Sequence, residues 1–343
     1  MAYGRACCAL LLAFLGRFAY GVEVDALLAR PELEQREAIS GSVTRWFSAG
    51  DFASIESLAN AARERRLRTR SGLWVNGLVL GGVQDAANPR VAKDDAAWDA
   101  LEAAARQWIE RYPHSVTAKI ALADIMYERA WLYRGGGYAS TVSEARFEAF
   151  YKQIAKAKRY ALEIRAEAEG DPNWHLRMLA ILRVERGGQP EEFERMFQRA
   201  IKAFPDYYPI YFEAVTYYLP KWHGDLFEIE RFVRGVMQGR DERTGKMLYA
   251  RIYWYVSQHD FKADLFRRSA VNWADMRDGF EAIVAEFPDA WNYNNYARFA
   301  CLQHDRTTMH RVFGRADFTV VAAAWDKPDQ FARCREQAGD AER

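Results

Sequence analysis

Residues 171–223 read DPNWHLRMLAILRVERGGQPEEFERMFQRAIKAFPDYYPIYFEAVTYYLPKWH, and they show one structural unit, its boundary and the start of the next. Asp171-Pro172 predicts a helix start, because proline in the first helical position forfeits no hydrogen bond there. Trp174, Met178, Ile181 and Leu182 then fall at i, i+4, i+7 and i+8, one face of a helix. Gly187-Gly188 ends that helix, and Pro190-Glu191-Glu192 opens a second one with acidic groups at the positive end of its dipole. Phe193, Met196, Phe197, Ala200, Ile201 and Phe204 give the second helix a core-facing stripe. Pro205-Asp206 follows 33 residues after Pro172, and another helix begins.

A helix pair of about 34 residues closed by a proline is the tetratricopeptide period. The aromatic-proline-polar break at Phe204-Pro205-Asp206 recurs at Tyr112-Pro113-His114 and at Phe287-Pro288-Asp289. The spacings of 92 and 83 residues are not multiples of 34, so the array is irregular. No run of alternating β-branched residues is long enough for a sheet. The expected fold is therefore all-α, an irregular tetratricopeptide-like α-solenoid of stacked helix pairs whose neighbours bury a continuous core. Tyr112, Phe204 and Phe287 end apolar stripes and are expected to be buried between helix pairs.

The chain has 343 residues, of which 50% are hydrophobic and 14% aromatic, enough to bury a sizeable core. Lysine plus arginine (48) almost cancels aspartate plus glutamate (47), which argues against nucleic acid or an anionic membrane as the main partner. Residues 1–21 read as a secretory signal: Arg5, an apolar run from Ala6 to Gly16, and small residues around Ala19-Tyr20-Gly21. Arg17 interrupts the run, and an uncleaved anchor is the alternative outcome. The run is shorter than the roughly 20 residues a bilayer needs, and no integral membrane segment is expected after cleavage. Cys7-Cys8 do not follow the apolar run, as a lipidated cysteine should. The expected location is periplasmic or secreted.

Residues 22–88 are read as N-terminal helical hairpins and residues 89–343 as the helical repeat region, with Gly81 to Pro89 as the linker. The first hairpin carries Ile39, Val43, Trp46 and Phe47, then Phe52, Ile55, Leu58, Ala59 and Ala62. Its end holds Arg63, Arg65, Arg66, Arg68 and Arg70, read as solvated side chains near the negative end of a helix dipole, with an anion site as the rarer alternative. Ser71-Gly72 is expected to begin a short apolar helix ending near Leu80. Thr141 and Glu144 have the spacing of a capping box. Gly239 to Gly245 reads as a polar loop.

Few constellations suggest chemistry. Gly135-Gly136-Gly137 follows a helix and lacks the Gly-Lys-Ser/Thr ending of a phosphate loop, so it reads as a helix stop. Asp124 and Glu128 lie one turn apart with Arg129 and Arg134 near, a pattern commoner on a solvated ion-paired face than in acid-base catalysis. Cys301, His304 and His310 approach metal-ligand spacing, yet Cys301 continues the stripe Tyr293, Tyr296, Ala297, Ala300 and packs first. No residue is assigned as catalytic, and neither a metal nor a cofactor is expected. Asn292, Asn294 and Asn295 open a helix; asparagines in repeat grooves bind a ligand's backbone, and otherwise cap and cross-link helices. Trp222 and His223, in the turn Pro220 to Asp225, read first as a structural corner and second as a ligand pocket. Arg134 completes the set of candidate binding residues.

Ala130-Trp131 with Arg134 to Gly137, Tyr218-Leu219-Pro220-Lys221-Trp222-His223-Gly224, Tyr249-Ala250-Arg251-Ile252-Tyr253-Trp254, Trp291-Asn292 and Ala297-Arg298-Phe299-Ala300-Cys301 resemble a bacterial tetratricopeptide-like family of unknown function. The resemblance spans roughly Trp46 to Ala338. It implies a helical repeat fold and no known chemistry. Only the repeat ending at Pro205 places Phe197, Ala200 and Pro205 where the 34-residue pattern expects phenylalanine, alanine and proline.

The first expectation for function is an exported scaffold that binds a protein or peptide partner through a concave surface. An envelope enzyme on a helical superhelix, acting on glycan or peptide, is the alternative, and a purely structural secreted protein is the third. Once the signal is removed, Cys301 and Cys334 are the only cysteines, and an oxidising compartment predicts a disulfide between them, with two separate buried thiols as the alternative.

Overall fold

The computed structural model describes residues 24–339. All regular structure among these residues is helical, and the one extended pairing is an isolated bridge between Arg68 and Trp74. The protein divides into two compact units, Met1–Thr69 with Leu73–Ala203, and Arg70–Gly72 with Phe204–Arg343. The tripeptide Arg70–Gly72 thus belongs with the second unit, far from it in sequence.

The first unit contains α1 (Glu32–Ala49), α2 (Phe52–Glu64), α3 (Val75–Ala86), α4 (Asp95–Arg111), α5 (Val116–Arg134), α6 (Glu144–Glu163), a single turn α7 (Arg165–Ala168), α8 (Pro172–Val184) and α9 (Pro190–Ala203). Caps of one kind recur: Asp51, Asp94, Ser115 and Asp171 each accept a first-turn backbone N–H, so the orphan donors of these helices are satisfied locally. The unit is packed chiefly by α1 on α3, α5 on α4 and α6, and α8 on α9. Trp98 and Trp108 of α4, Trp174 of α8 and Phe193 and Phe197 of α9 are all but wholly buried, as their spacing requires.

The second unit contains α10 (Tyr208–Tyr217), α11 (Leu226–Met237), α12 (Glu242–Val256), a single turn α13 (Leu265–Arg268), α14 (Trp273–Glu286), α15 (Ala290–Leu302), α16 (Arg306–Phe313) and α17 (Gln330–Gly339). Here α12 packs chiefly on α14 and also on α10 and α11, while α16 lies against α15 and α17. Cys301 and Cys334 are disulfide-bonded, Cα atoms 5.7 Å apart, and tie α17 to α15. Beside the bridge Phe313, Phe318, Trp325 and Phe331 form one aromatic cluster.

Several expectations are corrected. Gly81 to Pro89 is no linker: residues 81–86 are the end of α3. A Cβ on Gly82 would lie 2.5 Å from the carbonyl oxygen of Ser40, so the glycine serves the close approach of α3 to α1; Gly279 does the same in the second unit, 2.1 Å from the carbonyl oxygen of Lys246. That first helix begins at Val75, not at Ser71. Ser143, not Thr141, caps α6, accepting from the Arg146 N–H. The loop after Gly239 is short, because Asp241 caps α12 and Gly245 already lies inside it. Tyr112, Phe204 and Phe287 are only half-buried. Each sits where the backbone leaves the helix (φ −132° at Tyr112, −127° at Phe287), and the 3.6-residue period that would have aimed it at the core no longer applies. The buried aromatics are those after the break, Tyr207, Tyr208 and Tyr211. The expected signal, residues 1–21, lies outside the described residues.

Candidate functional site

The break at Phe287-Pro288-Asp289 builds a small site in the second unit. Asp289 caps α15 by accepting the Trp291 N–H at 2.8 Å, which fixes its carboxylate beside the first turn. Its second oxygen takes the Nε of Arg70 at 3.2 Å. One turn on, the amide Nδ2 of Asn292 donates to the Phe287 carbonyl at 2.9 Å and to the Ser71 carbonyl at 3.3 Å. Two carbonyls facing one nitrogen fix the orientation of that amide. From α12, Arg251 donates Nη2 to the same Ser71 carbonyl at 3.0 Å, its guanidinium 4.4 Å from the Tyr208 ring centre and 5.5 Å from that of Phe287. The half-buried Phe287 ring is a wall: a Cβ on Gly72 would lie 2.8 Å from it. Gly72 also has φ +93°, a conformation glycine adopts without penalty.

The tripeptide Arg70–Gly72 is thus held by one carboxylate on its arginine, two side-chain donors on its central carbonyl and an aromatic face on its glycine. Asn292 is fully buried, and its Oδ1 accepts no hydrogen bond among the described residues. The groups gathered here meet a backbone carbonyl and one positive charge.

The other sequence candidates are dispersed. The Asn294 amide is spent within the fold: Nδ2 donates to the Ala290 and Thr319 carbonyls, and Oδ1 accepts from the Val321 N–H and the Trp325 indole. Asn295 donates back to the Trp291 carbonyl at 2.9 Å. Arg134 closes the glycine turn after α5, donating to the carbonyls of Gly135 (3.0 Å) and Gly137 (3.1 Å). In the corner after α10, the His223 N–H donates to the Tyr217 carbonyl and its exposed ring stacks on Tyr217 at 4.4 Å; Trp222 is half-buried rather than packed. Asp225 caps α11, accepting from the Phe227 and Glu228 N–H groups. Cys301 is committed to its disulfide with Cys334.

In the first unit the carboxylates at 124 and 128 are not on a solvated face. Asp124 is buried and accepts from the Gln84 amide at 2.8 Å and from the Arg177 guanidinium. Glu128 lies 3.7 Å from the same arginine, which also stacks on Tyr127 at 4.1 Å. Burial alone would pull the Arg177 pKa down, but the two carboxylates push it above its ordinary value. Arg129 points elsewhere, to Asp95, Asp99 and Glu102 at 2.6–3.0 Å. The arginines after α2 are likewise engaged: Arg63 with Asp171 and Thr117, Arg65 with Asp25, Arg66 and Arg68 over Trp74.

Of the residues that hold the tripeptide, sequence reasoning reached Asn292 alone. Arg251 carried a signal, a charged side chain amid Leu248, Ala250 and Ile252 in a helix whose apolar residues pack all round. Arg70 reads only within the arginine cluster after α2 and Ser71-Gly72 only as a helix start, since contacts across 180 residues leave no local pattern. In comparisons with known proteins, no family model, no curated protein and no solved structure matches this sequence.

Proposed function

We propose that this protein is an exported scaffold that binds a protein or peptide partner and performs no chemistry of its own, built as an irregular tetratricopeptide-like solenoid and acting in the periplasm or outside the cell. The observation that carries the reading is the convergence of Asn292 and Arg251 on the Ser71 carbonyl, beside the Asp289–Arg70 pair. Side chains fixed on helices and aimed at a backbone oxygen are the means by which a rigid surface recognises an extended segment irrespective of most of its side chains. Recurrent helix breaks before α5, α8, α10 and α15 support the repeat architecture, and the disulfide suits an oxidising compartment. The test is an array of immobilised peptides probed with the full-length protein. A subset should be retained, and reduction of single peptide carbonyls to methylene should abolish retention at defined positions. Retention of none, or retention indifferent to loss of any carbonyl, would overturn the reading.

A further inference from the structure

We infer that Asp289, Asn292 and Arg251 form a receptor site selective for a peptide segment of the pattern arginine–small residue–glycine, and that Arg70–Gly72 occupies it as an internal competitor. The inference rests on the peptide-binding reading above and adds the identity of the ligand class.

Each position of the pattern follows from one contact. Asp289 is 6% exposed, and one of its oxygens is committed to the α15 N-terminus; the remaining oxygen meets a guanidinium whose stem is half in solvent. A buried carboxylate with one open lone-pair direction favours a cation, binds a neutral donor more weakly and repels an acidic side chain. Ser71 is 2% exposed, with both donors on its carbonyl, so a bulky side chain there has no room. At the third position any side chain meets Phe287 at 2.8 Å and must also adopt φ near +93°, which selects glycine twice over.

The internal segment leaves one acceptor of the site unused. Asn292 Oδ1 is buried and accepts nothing among the described residues, and a carboxamide whose Nδ2 holds a backbone carbonyl is matched by a backbone N–H at Oδ1. A second peptide that supplies this N–H makes a hydrogen bond that Arg70–Gly72 does not, and a buried acceptor left unmade is costly. That difference lets an external segment compete against one that is covalently present.

The experiment is fluorescence polarisation with the full-length protein and a fluorescein-labelled peptide of the sequence of residues 66–75. The variant R70E sets the internal segment against Asp289, raising the fraction of molecules whose site is open, and the apparent Kd falls in inverse proportion to that fraction. The expected result is binding about tenfold tighter by R70E than by the wild type. Binding should be lost on adding N292A to R70E, and with a probe carrying Gly72→Val. If R70E proves unfolded by circular dichroism, R70Q replaces it with the same expectation. Equal affinity for wild type and variant, or equal binding of the Gly72→Val probe, overturns the inference. Should the array retain peptides while this probe fails, the selectivity falls and the scaffold reading stands. Should the probe bind as expected while the array retains nothing, the site is real but serves its own internal segment alone, and the scaffold reading falls.

Discussion

Arg177 in the first unit and Arg251 in the second are both deeply buried, 7% and 4% exposed, and both lie over tyrosine rings. They differ in what they donate to. Arg177 meets the carboxylates of Asp124 and Glu128, one turn apart on α5, a helix it already packs against. Arg251 donates to the backbone carbonyl of Ser71, a residue 180 positions away in sequence. A carboxylate fixed on a neighbouring helix closes the first arginine inside the fold, whereas a carbonyl is a group every peptide carries. The same buried guanidinium therefore meets side-chain charge in one unit and backbone polarity in the other.

The sharpest way to break this contrast is to remove one partner from each. Asp124→Ala leaves the Arg177 charge buried with only the more distant Glu128 opposite, and loss of one partner from a buried ion pair costs about 3–5 kcal/mol. Urea unfolding followed by circular dichroism should show that loss. The double variant Asp124→Leu with Arg177→Met should recover most of it, because removing both charges together removes the uncompensated one. A single variant that unfolds at the wild-type midpoint would mean that Arg177 reaches solvent.

The units also differ in covalent support, and removal of the bridge isolates the second. The Cys301–Cys334 disulfide closes a separation of 33 residues, worth about 3–4 kcal/mol in the loop-entropy account. Cys334→Ser with Cys301→Ser should speed hydrogen exchange in α15, α16 and α17 while protection in α5 and α8 stays as it was. Uniform loss of protection across both units would show that they do not open independently.

Next comes the direct counterpart of the Asp124 change. Arg251→Met retains a long apolar stem against Tyr208 and Phe287 but gives up the bond to Ser71, leaving Asn292 as that carbonyl's remaining side-chain donor at the site. A hydrogen bond from a charged donor is worth about 1.5–3 kcal/mol, so the loss should be smaller than for Asp124→Ala. Protection of the amides around Ser71 should fall with it. A cost equal to that of Asp124→Ala would erase the distinction between the two arginines.

How much of this was legible in the sequence depends on the range of the interactions. Proline, aspartate and the 3.6-residue stripe act within one or two turns, so α8 and α9 were found almost to the residue. The helix start at Asp171 followed from the same local rules. Gly81-Gly82 misled because glycine marks both a break and a close crossing, and only the position of Ser40 decides between them. The half-burial of Tyr112, Phe204 and Phe287 was hidden for a related reason: each was read as the last member of a helical stripe, and the helix ends one residue too soon. For the site, Asn292 announced itself as one of three polar residues at a helix start, but Asn294 and Asn295 did so equally. Which of the three meets a distant carbonyl depends on Ser71, and no spacing rule connects positions 71 and 292.

The smallest effect concerns protons. His175, two residues before Arg177 on α8, is 1% exposed, with its Nε2 against the Glu169 carbonyl at 2.9 Å. Burial pushes its pKa below the ordinary 6.5; Arg199 acts in the same direction, and the Glu169 carbonyl and the carboxylates of Glu169 and Asp171 oppose it without prevailing. With the folded value depressed, the unfolded state binds the proton more readily in the window below 6.5, so stability rises with pH there. The contribution is complete above pH 6.5 and is lost as the pH falls from 6.5 through the folded value. The wild type should therefore melt at a lower temperature at about pH 5.5 than at about pH 7.5, with hydrogen exchange in α8 rising first. His175→Gln, compared at the same two values, should lose that part of the pH dependence while being less stable at both. A pH slope unchanged by His175→Gln would place the titrating group elsewhere, and an acid-induced rise in exchange confined to α12 and α15 would locate it in the second unit.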